Sequence, residues 1–302
     1  MKKNASICLA ALALAGCAGS REAAEPIPFV DAHSHLVPDL TPDEEIARFR
    51  ASGLKAVVIM NPDAAAMRDI GKRHGDFVIP FISVARLPEM AGIRLSPGAA
   101  DAMGTVQAEG AVCGFGEVPT RVVPATEPSD DLALLNPDRL PIYALADARG
   151  LPMNIHVTID TPAVEAAVDR VARGHPRMKL ILAHAGWSAG PEVLGRLMAA
   201  NPNLYADLSI RLDPAAGFVQ PRETSILAAD GSLLPEWRAL IERFPDRFMF
   251  GMDITGTERP AYIDRLIAVA RQAFAPLPRK LQHALAHGNI EALLAGCAFP
   301  RR

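Results

Sequence analysis

From residue 28 onward the chain alternates between two hydrophobic patterns. Short, nearly all-apolar runs read as buried strands: 29–33 (FVDAH), 55–60, 77–85, 111–118, 153–157, 179–184, 203–209 and 247–253. Between them lie amphipathic helical stretches such as 41–53 (TPDEEIARFRASG), 161–174 and 260–274. In the first, Thr41 is placed to cap, Pro42 sits in the first turn and Glu44 completes a capping box. Thr161 and Pro162 repeat that start, and Gly174 ends the helix. Eight strands alternating with helices predict the α/β class and a single-domain (β/α)8 TIM barrel, rather than an open doubly wound sheet. The long, polar, proline-containing stretches 119–137 and 210–232 follow strands four and seven, where a barrel keeps its active-site loops. No glycine-rich loop opens a helix after any strand, which argues against nucleotide binding.

The first residues break this pattern. In MKKNASICLAALALAGCAGS, Lys2 and Lys3 precede an apolar core from Ile7 to Gly16 that is too short for a spanning helix, the layout of a secretory signal. LAGC (14–17) resembles the bacterial lipoprotein box, which implies cleavage before Cys17 and lipidation of its sulfur. Ala18, where an aspartate would retain the protein, fits outer-membrane sorting. The alternative is a plain signal peptide with an incidental cysteine. The expected division is a signal at 1–16, a flexible tether at 17–27 and the barrel at 28–302. The expected location is the bacterial envelope, lipid-anchored and facing the periplasm.

Composition adds exclusions. Half of the 302 residues are apolar and 22% are charged, with a net charge of −3. Removing residues 1–16 takes two lysines and no acid, leaving −5. No basic stretch interleaved with aromatics is present, so no nucleic-acid partner is expected, and membrane contact is expected only through the anchor. A homo-oligomer is left open. With Cys8 in the signal and Cys17 lipidated, Cys113 and Cys297 remain, too few for a disulfide framework in a domain this size. Cys113, in an apolar run, is expected to be a small buried hydrophobe.

The chemistry lies at the strand ends. His33, His35, His156 and His184 fall at the C-terminal ends of apolar runs, as do Glu117 and Asp253. The intervals fit one barrel: 82 residues from His35 to Glu117, 39 on to His156, 28 to His184 and 69 to Asp253. All six are therefore expected around one mouth. His33 and His35, two apart on a strand, share a face and can close on one ion. Four imidazoles and two carboxylates suit a divalent cation, with Zn2+ the first expectation and Mn2+ or another ion the alternative. His74 and His175 precede strands on the opposite face. With His283 and His287 in the C-terminal helical region, they read as surface or packing residues.

These motifs resemble the amidohydrolase superfamily, in its branch of TIM-barrel metal-dependent hydrolases that also contains decarboxylases. DAHSH matches its strand-one HxH, GFGEV its strand-four glutamate, NIHV its strand-five histidine, LAHAGW strand six and FGMD the strand-eight aspartate. HGNIEALL (287–294) looks like the closing helix, with Asn289 as its N-cap. The resemblance covers nearly all of 28–297. It implies that His33, His35 and Asp253 hold a first metal and that His156 and His184 hold a second, with Glu117 bridging. Members with one metal instead recruit His156 to it and leave His184 free to polarise the substrate, so one ion or two stays open.

The resemblance implies metal-assisted hydrolysis of a small-molecule amide, lactone, ester or phosphoester, with Asp253 as general base and then acid and His184 as polarising group. Asp31 is a candidate to hold a ligand histidine in its tautomer, or alternatively to face a helix cap. Arg86 and Arg211, after strands three and seven, are candidates to bind an anionic substrate group, or else solvated loop charges. The alternatives are a single-metal non-oxidative decarboxylase on the same site and a non-catalytic lipoprotein that binds metal or ligand.

Overall fold

The computed structural model describes residues 25–85, 90–121, 133–212, 225–255 and 263–297. Within them every predicted strand is present with its ends adjusted, β1, β2 and β4 running on past the predicted C-terminal end and β3, β6, β7 and β8 shorter than predicted: β1 Val30–His35, β2 Ala56–Asn61, β3 Val78–Ile82, β4 Gly114–Arg121, β5 Pro152–Val157, β6 Lys179–Leu182, β7 Leu204–Asp207 and β8 Phe248–Met249. They pair in parallel in chain order from β1 to β8. The barrel closes through backbone hydrogen bonds at the seam: Ala32 N–H to Phe250 O at 3.0 Å and His35 N–H to Ile254 O at 2.9 Å. This is a (β/α)8 TIM barrel.

The helices are α1 Pro42–Ala51, α2 Ala64–His74, α3 Ala99–Ala108, α4 Leu140–Arg149, α5 Pro162–Gly174, α6 Pro191–Ala200, α7 Pro235–Arg243 and α8 Ile263–Phe274. The capping box forms as expected, with Thr41 N–H donating to Glu44 Oε2 and Glu44 N–H to Thr41 Oγ1. Thr161 Oγ1 likewise accepts from Val164 N–H at 3.3 Å. Alternation along β2 divides the core. Val57 and Ile59 pack with helix residues such as Ile46, Phe49, Met67 and Ile70. Ala56, Val58 and Met60 instead join Val30, Ile79, Ile181 and Met249 inside the barrel.

The inner cluster is completed by Ile290, Leu293 and Leu294, so the C-terminal segment plugs the barrel floor. That segment is α9 Arg279–His283, a π-helical turn at Ala284–Gly288 and α10 Asn289–Leu293. Within the π turn, Leu285 O accepts Phe250 N–H at 2.9 Å, tying the plug to the chain beyond β8. Asn289 does not cap a helix, as the sequence had implied. Its amide donates to Pro245 O at 2.8 Å and Phe248 O at 2.7 Å, satisfying two carbonyls at the entry to β8.

Two further expectations change. Cys113 is not a solitary hydrophobe: it is disulfide-bonded to Cys297, 184 residues away, with Cα atoms 5.4 Å apart. One bridge therefore staples the end of the plug to the strand-four entrance. Asp31 neither orients a ligand histidine nor faces a helix cap. Its carboxylate accepts from His33 N–H at 3.0 Å, Met252 N–H at 2.9 Å and the Ser34 hydroxyl, bracing the seam between β1 and the β8 extension.

The expected signal, Cys17 and most of the expected tether lie outside the described residues, and Ile27 is already buried against the barrel. Among the described residues no helix is long and apolar enough to cross a membrane.

Closing so long a loop constrains the unfolded chain strongly. Replacing both Cys113 and Cys297 by serine is expected to cost roughly 2–5 kcal/mol in urea unfolding, and reductant should bring the parent to the same value. A second prediction concerns Glu45, buried in α1. Its Oε2 accepts Val37 N–H at 2.9 Å, Oε1 has no partner among the described residues, and burial pushes its pKa up to about 7. The folded state then binds more protons than the unfolded one between the ordinary carboxylate value and pH 7, so ionising Glu45 costs stability as pH rises. Glu45→Gln should lose a few degrees less of Tm than the parent between pH 5 and 8. An identical loss in both proteins would refute this.

Candidate metal centre

The barrel brings the six strand-end residues to one mouth. His33 and His35 come from β1, Glu117 from β4 and His156 from β5. His184 sits in a 3-10 turn just past β6, and Asp253 lies beyond β8. The last two have positive φ, 54° and 55°, a conformation uncommon for residues with a side chain and typical of functional sites. Strand four reaches the mouth through Gly116, at φ +143°, where a Cβ would lie 2.7 Å from that of Asn154. Only glycine fits there.

The donor atoms converge. His33 Nε2 lies 3.2 Å from His35 Nε2, 3.6 Å from Asp253 Oδ1 and 3.8 Å from Glu117 Oε1. His35 Nε2 is 3.4 Å from Asp253 Oδ1 and 3.7 Å from Glu117 Oε2. His184 Nε2 lies 3.4 Å from Glu117 Oε1 and 4.0 Å from Asp253 Oδ2, and His156 Nδ1 is 2.6 Å from Glu117 Oε1.

The hydrogen bonds behind these atoms set their protonation. His33 Nδ1 faces Asp207 Oδ2 at 3.0 Å and His35 Nδ1 faces Met60 O at 3.1 Å. A carboxylate and a carbonyl can only accept, so both Nδ1 atoms carry hydrogen, and in the neutral rings the two Nε2 atoms are the lone-pair donors that face the mouth. Ser209 donates its single hydroxyl hydrogen to Asp207 and so accepts from His184 Nδ1–H at 2.8 Å, which leaves His184 Nε2 bare as well. These three nitrogens and two carboxylates lie 3.2–4.0 Å apart, a donor set close enough to close on one cation or a pair. Ligands held ~2.0–2.2 Å from a tetrahedral Zn2+ have about the closer of these separations. His156, whose Nδ1 meets Glu117, also keeps a buried Nε2 without a partner among the described residues.

Proton affinities show what a metal would replace. Burial works against a charged His33, yet Asp207, Glu117 and Asp253 around it raise its pKa to about 10, so at neutral pH the ring also holds a hydrogen on Nε2, shared with His35 Nε2, that a divalent ion would displace. Burial would raise Asp207, but His33 and the Ser209 hydroxyl hold it down at about 2. Glu117 stays well below the carboxylate range against its burial, chiefly through His156, and burial lowers His184. The pocket is thus an anionic cage that draws in positive charge. The residues fit a divalent ion, and the donors divide into trios: His33, His35 and Asp253; Glu117, His156 and His184; and a third that substitutes Asp207, His33 with His184.

Asp207 is the residue that sequence reasoning passed over. Its only signal was a charged side chain ending the apolar run NLYADLS, with no histidine beside it. Trp187 was also missed. It packs its ring 5.3 Å from that of His156 and 5.1 Å from that of His184, forming an aromatic wall beside them. Arg211 is not a solvated loop charge. It is buried over the Trp237 ring and donates to the carbonyls of Trp187 and Ala189, pinning the loop that carries the wall. Arg86 and the centres of the loops after strands four and seven lie outside the described residues.

Comparison with known proteins agrees with this architecture. A family model described as amidohydrolase matches residues 18–295. An uncharacterized TIM-barrel protein of Bordetella bronchiseptica superposes with a TM-score of 0.60 at 15% identity, covering 89% of this chain and 99% of its own. An amidohydrolase of Burkholderia multivorans with bound zinc gives 0.59 at 16%, with the same coverage of 89% and 99%. A probable 2-pyrone-4,6-dicarboxylic acid hydrolase of Acinetobacter baumannii with citric acid bound gives 0.56 at 11%, covering 88% and 99%. No curated protein matches the sequence.

Because Asp207 orients His33 and, through Ser209, His184, its carboxylate should matter to metal affinity without touching the ion. Asp207→Asn is expected to weaken zinc binding 10–100-fold in chelator competition, with the fold intact by circular dichroism. Unchanged affinity would remove Asp207 from this role.

Proposed function

Since the chain belongs to the amidohydrolase family and is an enzyme of that type, we propose that it hydrolyses a small-molecule amide, lactone, ester or phosphoester with water activated by divalent metal at this six-residue mouth. The observation that carries the reading is the outward anchoring of three histidines, which turns their Nε2 atoms toward Glu117 and Asp253. Glu117 supports a two-ion arrangement. Its Oε2 faces His35 in the first trio at 3.7 Å, while Oε1 faces His184 and His156 in the second at 3.4 and 2.6 Å. A carboxylate so placed can bridge.

A bound divalent ion supplies an acidified water and an electrophile for the substrate's oxygen. The chain supplies the proton traffic. Burial would raise the Asp253 pKa, but His35, with His184 and His33, holds its carboxylate below the ordinary range, ionised and ready to accept the water proton. The same group then returns the proton to the leaving atom. His184 faces the mouth from the opposite trio, placed to steady the substrate oxygen as charge builds there. Trp187 offers a flat apolar surface beside it, suited to the ring or chain of a small substrate.

The exported, lipid-anchored location remains our reading of residues 1–17, and the Cys113–Cys297 bridge supports an oxidising compartment.

The test is turnover by metal-loaded and metal-stripped protein on a panel of amides, lactones, esters and phosphoesters that includes 2-pyrone-4,6-dicarboxylate. Hydrolysis should require the metal, and Asp253→Asn should lower kcat by about 10²–10⁴-fold while retaining a bound ion. Release of CO2 from aromatic acids with no hydrolysis would favour the decarboxylase instead. Full activity in Asp253→Asn would remove that residue as the base.

A further inference from the structure

A second cluster of imidazoles lies away from the mouth. His283 ends α9 and His287 lies in the π turn, and both are half-buried. The wide π turn stacks residues four apart nearly in line, which brings His283 Nδ1 to 3.4 Å from His287 Nε2. Behind them, His287 Nδ1 faces Glu291 Oε2 at 2.9 Å, and the other oxygen of Glu291 pairs with the Lys55 ammonium. Lys55 immediately precedes β2, so this row lies at the floor of the barrel, opposite the mouth.

The outer bonds follow the logic of the catalytic cage. Glu291 accepts from His287 Nδ1–H, so His287 Nε2 is a bare lone pair directed at His283. The 3.4 Å separation is the spacing of two nitrogens around one ion at ~2.0–2.1 Å. A carboxylate on the far nitrogen of a ligating histidine fixes its tautomer and raises its basicity, and Lys55 in turn fixes the carboxylate. We propose that His283 and His287 form a separate site for a borderline divalent cation, Zn2+, Ni2+ or Cu2+, completed by water, with Glu291 as a positioning residue. Such an ion would clip α9 to the π turn that carries Leu285 O, the carbonyl holding the chain beyond β8. On binding, the hydrogen that His283 Nδ1 shares with His287 Nε2 moves through solvent to His283 Nε2, so the neutral ring changes tautomer and frees its Nδ1 for the ion with no net proton released.

The test is zinc titration of the metal-stripped full chain by calorimetry. The His283→Ala/His287→Ala double variant should bind one equivalent fewer than the parent, with turnover within twofold. Glu291→Gln should retain that equivalent with 10–100-fold weaker affinity. In the reverse experiment, His33→Ala/His35→Ala should lose turnover and keep the floor site, so failure there is distinguishable from failure of the proposed catalytic centre. With Cu2+ loaded in that variant, electron paramagnetic resonance should show nitrogen coupling that disappears on adding His287→Gln. Equal zinc stoichiometry in parent and double variant overturns the proposal, leaving His283 and His287 as a plain hydrogen-bonded pair. Should the double variant melt below assay temperature, the single His287→Gln variant replaces it, and an unchanged stoichiometry there is equally fatal.

Discussion

The mouth of this barrel is organised by one buried anion that faces no substrate. The Asp207 carboxylate accepts from His33 Nδ1 at 3.0 Å, Asn154 Nδ2 at 2.9 Å, the backbone N–H groups of His184 and Ser209 at 3.1 Å each, and the Ser209 hydroxyl. It therefore joins the ends of β1, β5, β6 and β7. A fully buried carboxylate is tolerated only when its lone pairs are filled, and here filling them orients two histidines. The same bonds that keep Asp207 ionised hold the outer ring nitrogens and turn the inner ones toward the mouth. Architecture and chemistry are coupled at this point: the site is anionic because its scaffold is satisfied.

The two ends of the barrel divide the work. At the mouth, strand-end backbone enters the left-handed region at His184 and Asp253, and imidazoles and carboxylates crowd together. At the floor, polar atoms are paired: the Asn289 amide serves two carbonyls, Lys179 reaches Leu293 O, and the Cys113–Cys297 bridge secures the plug. Rigid support beneath an electrostatically frustrated rim is what a preorganised catalytic site requires. Asp31 links the two levels, since the seam it braces carries His33 at one edge and leads to Asp253 at the other.

The alternation of apolar runs made the eight strands and their barrel order legible, because buried parallel strands must be apolar on both faces. Polar residues ending such runs stood out for the same reason, which is how His33, His35, Glu117, His156, His184 and Asp253 were found. What stayed hidden depends on contacts across the closed barrel. Asp207 acts on His33 from 174 residues away, and the two cysteines meet across 184, separations that carry no local pattern. Asn289 sits where a cap would, yet its amide serves carbonyls 41 and 44 residues earlier. Arg211 reads as a loop charge until the Trp237 ring and the Trp187 carbonyl bury it.

The central claim is that outward hydrogen bonds force the inward nitrogens to be metal donors. It is tested most directly by an anomalous-difference map of crystals of zinc-loaded protein. The account predicts density at the mouth about 2.0–2.2 Å from Nε2 of His33 and of His35, beside the Asp253 carboxylate, with the His33 Nδ1–Asp207 contact preserved. A mouth without anomalous density, or an ion ligated through His33 Nδ1 with Asp207 displaced, would contradict it.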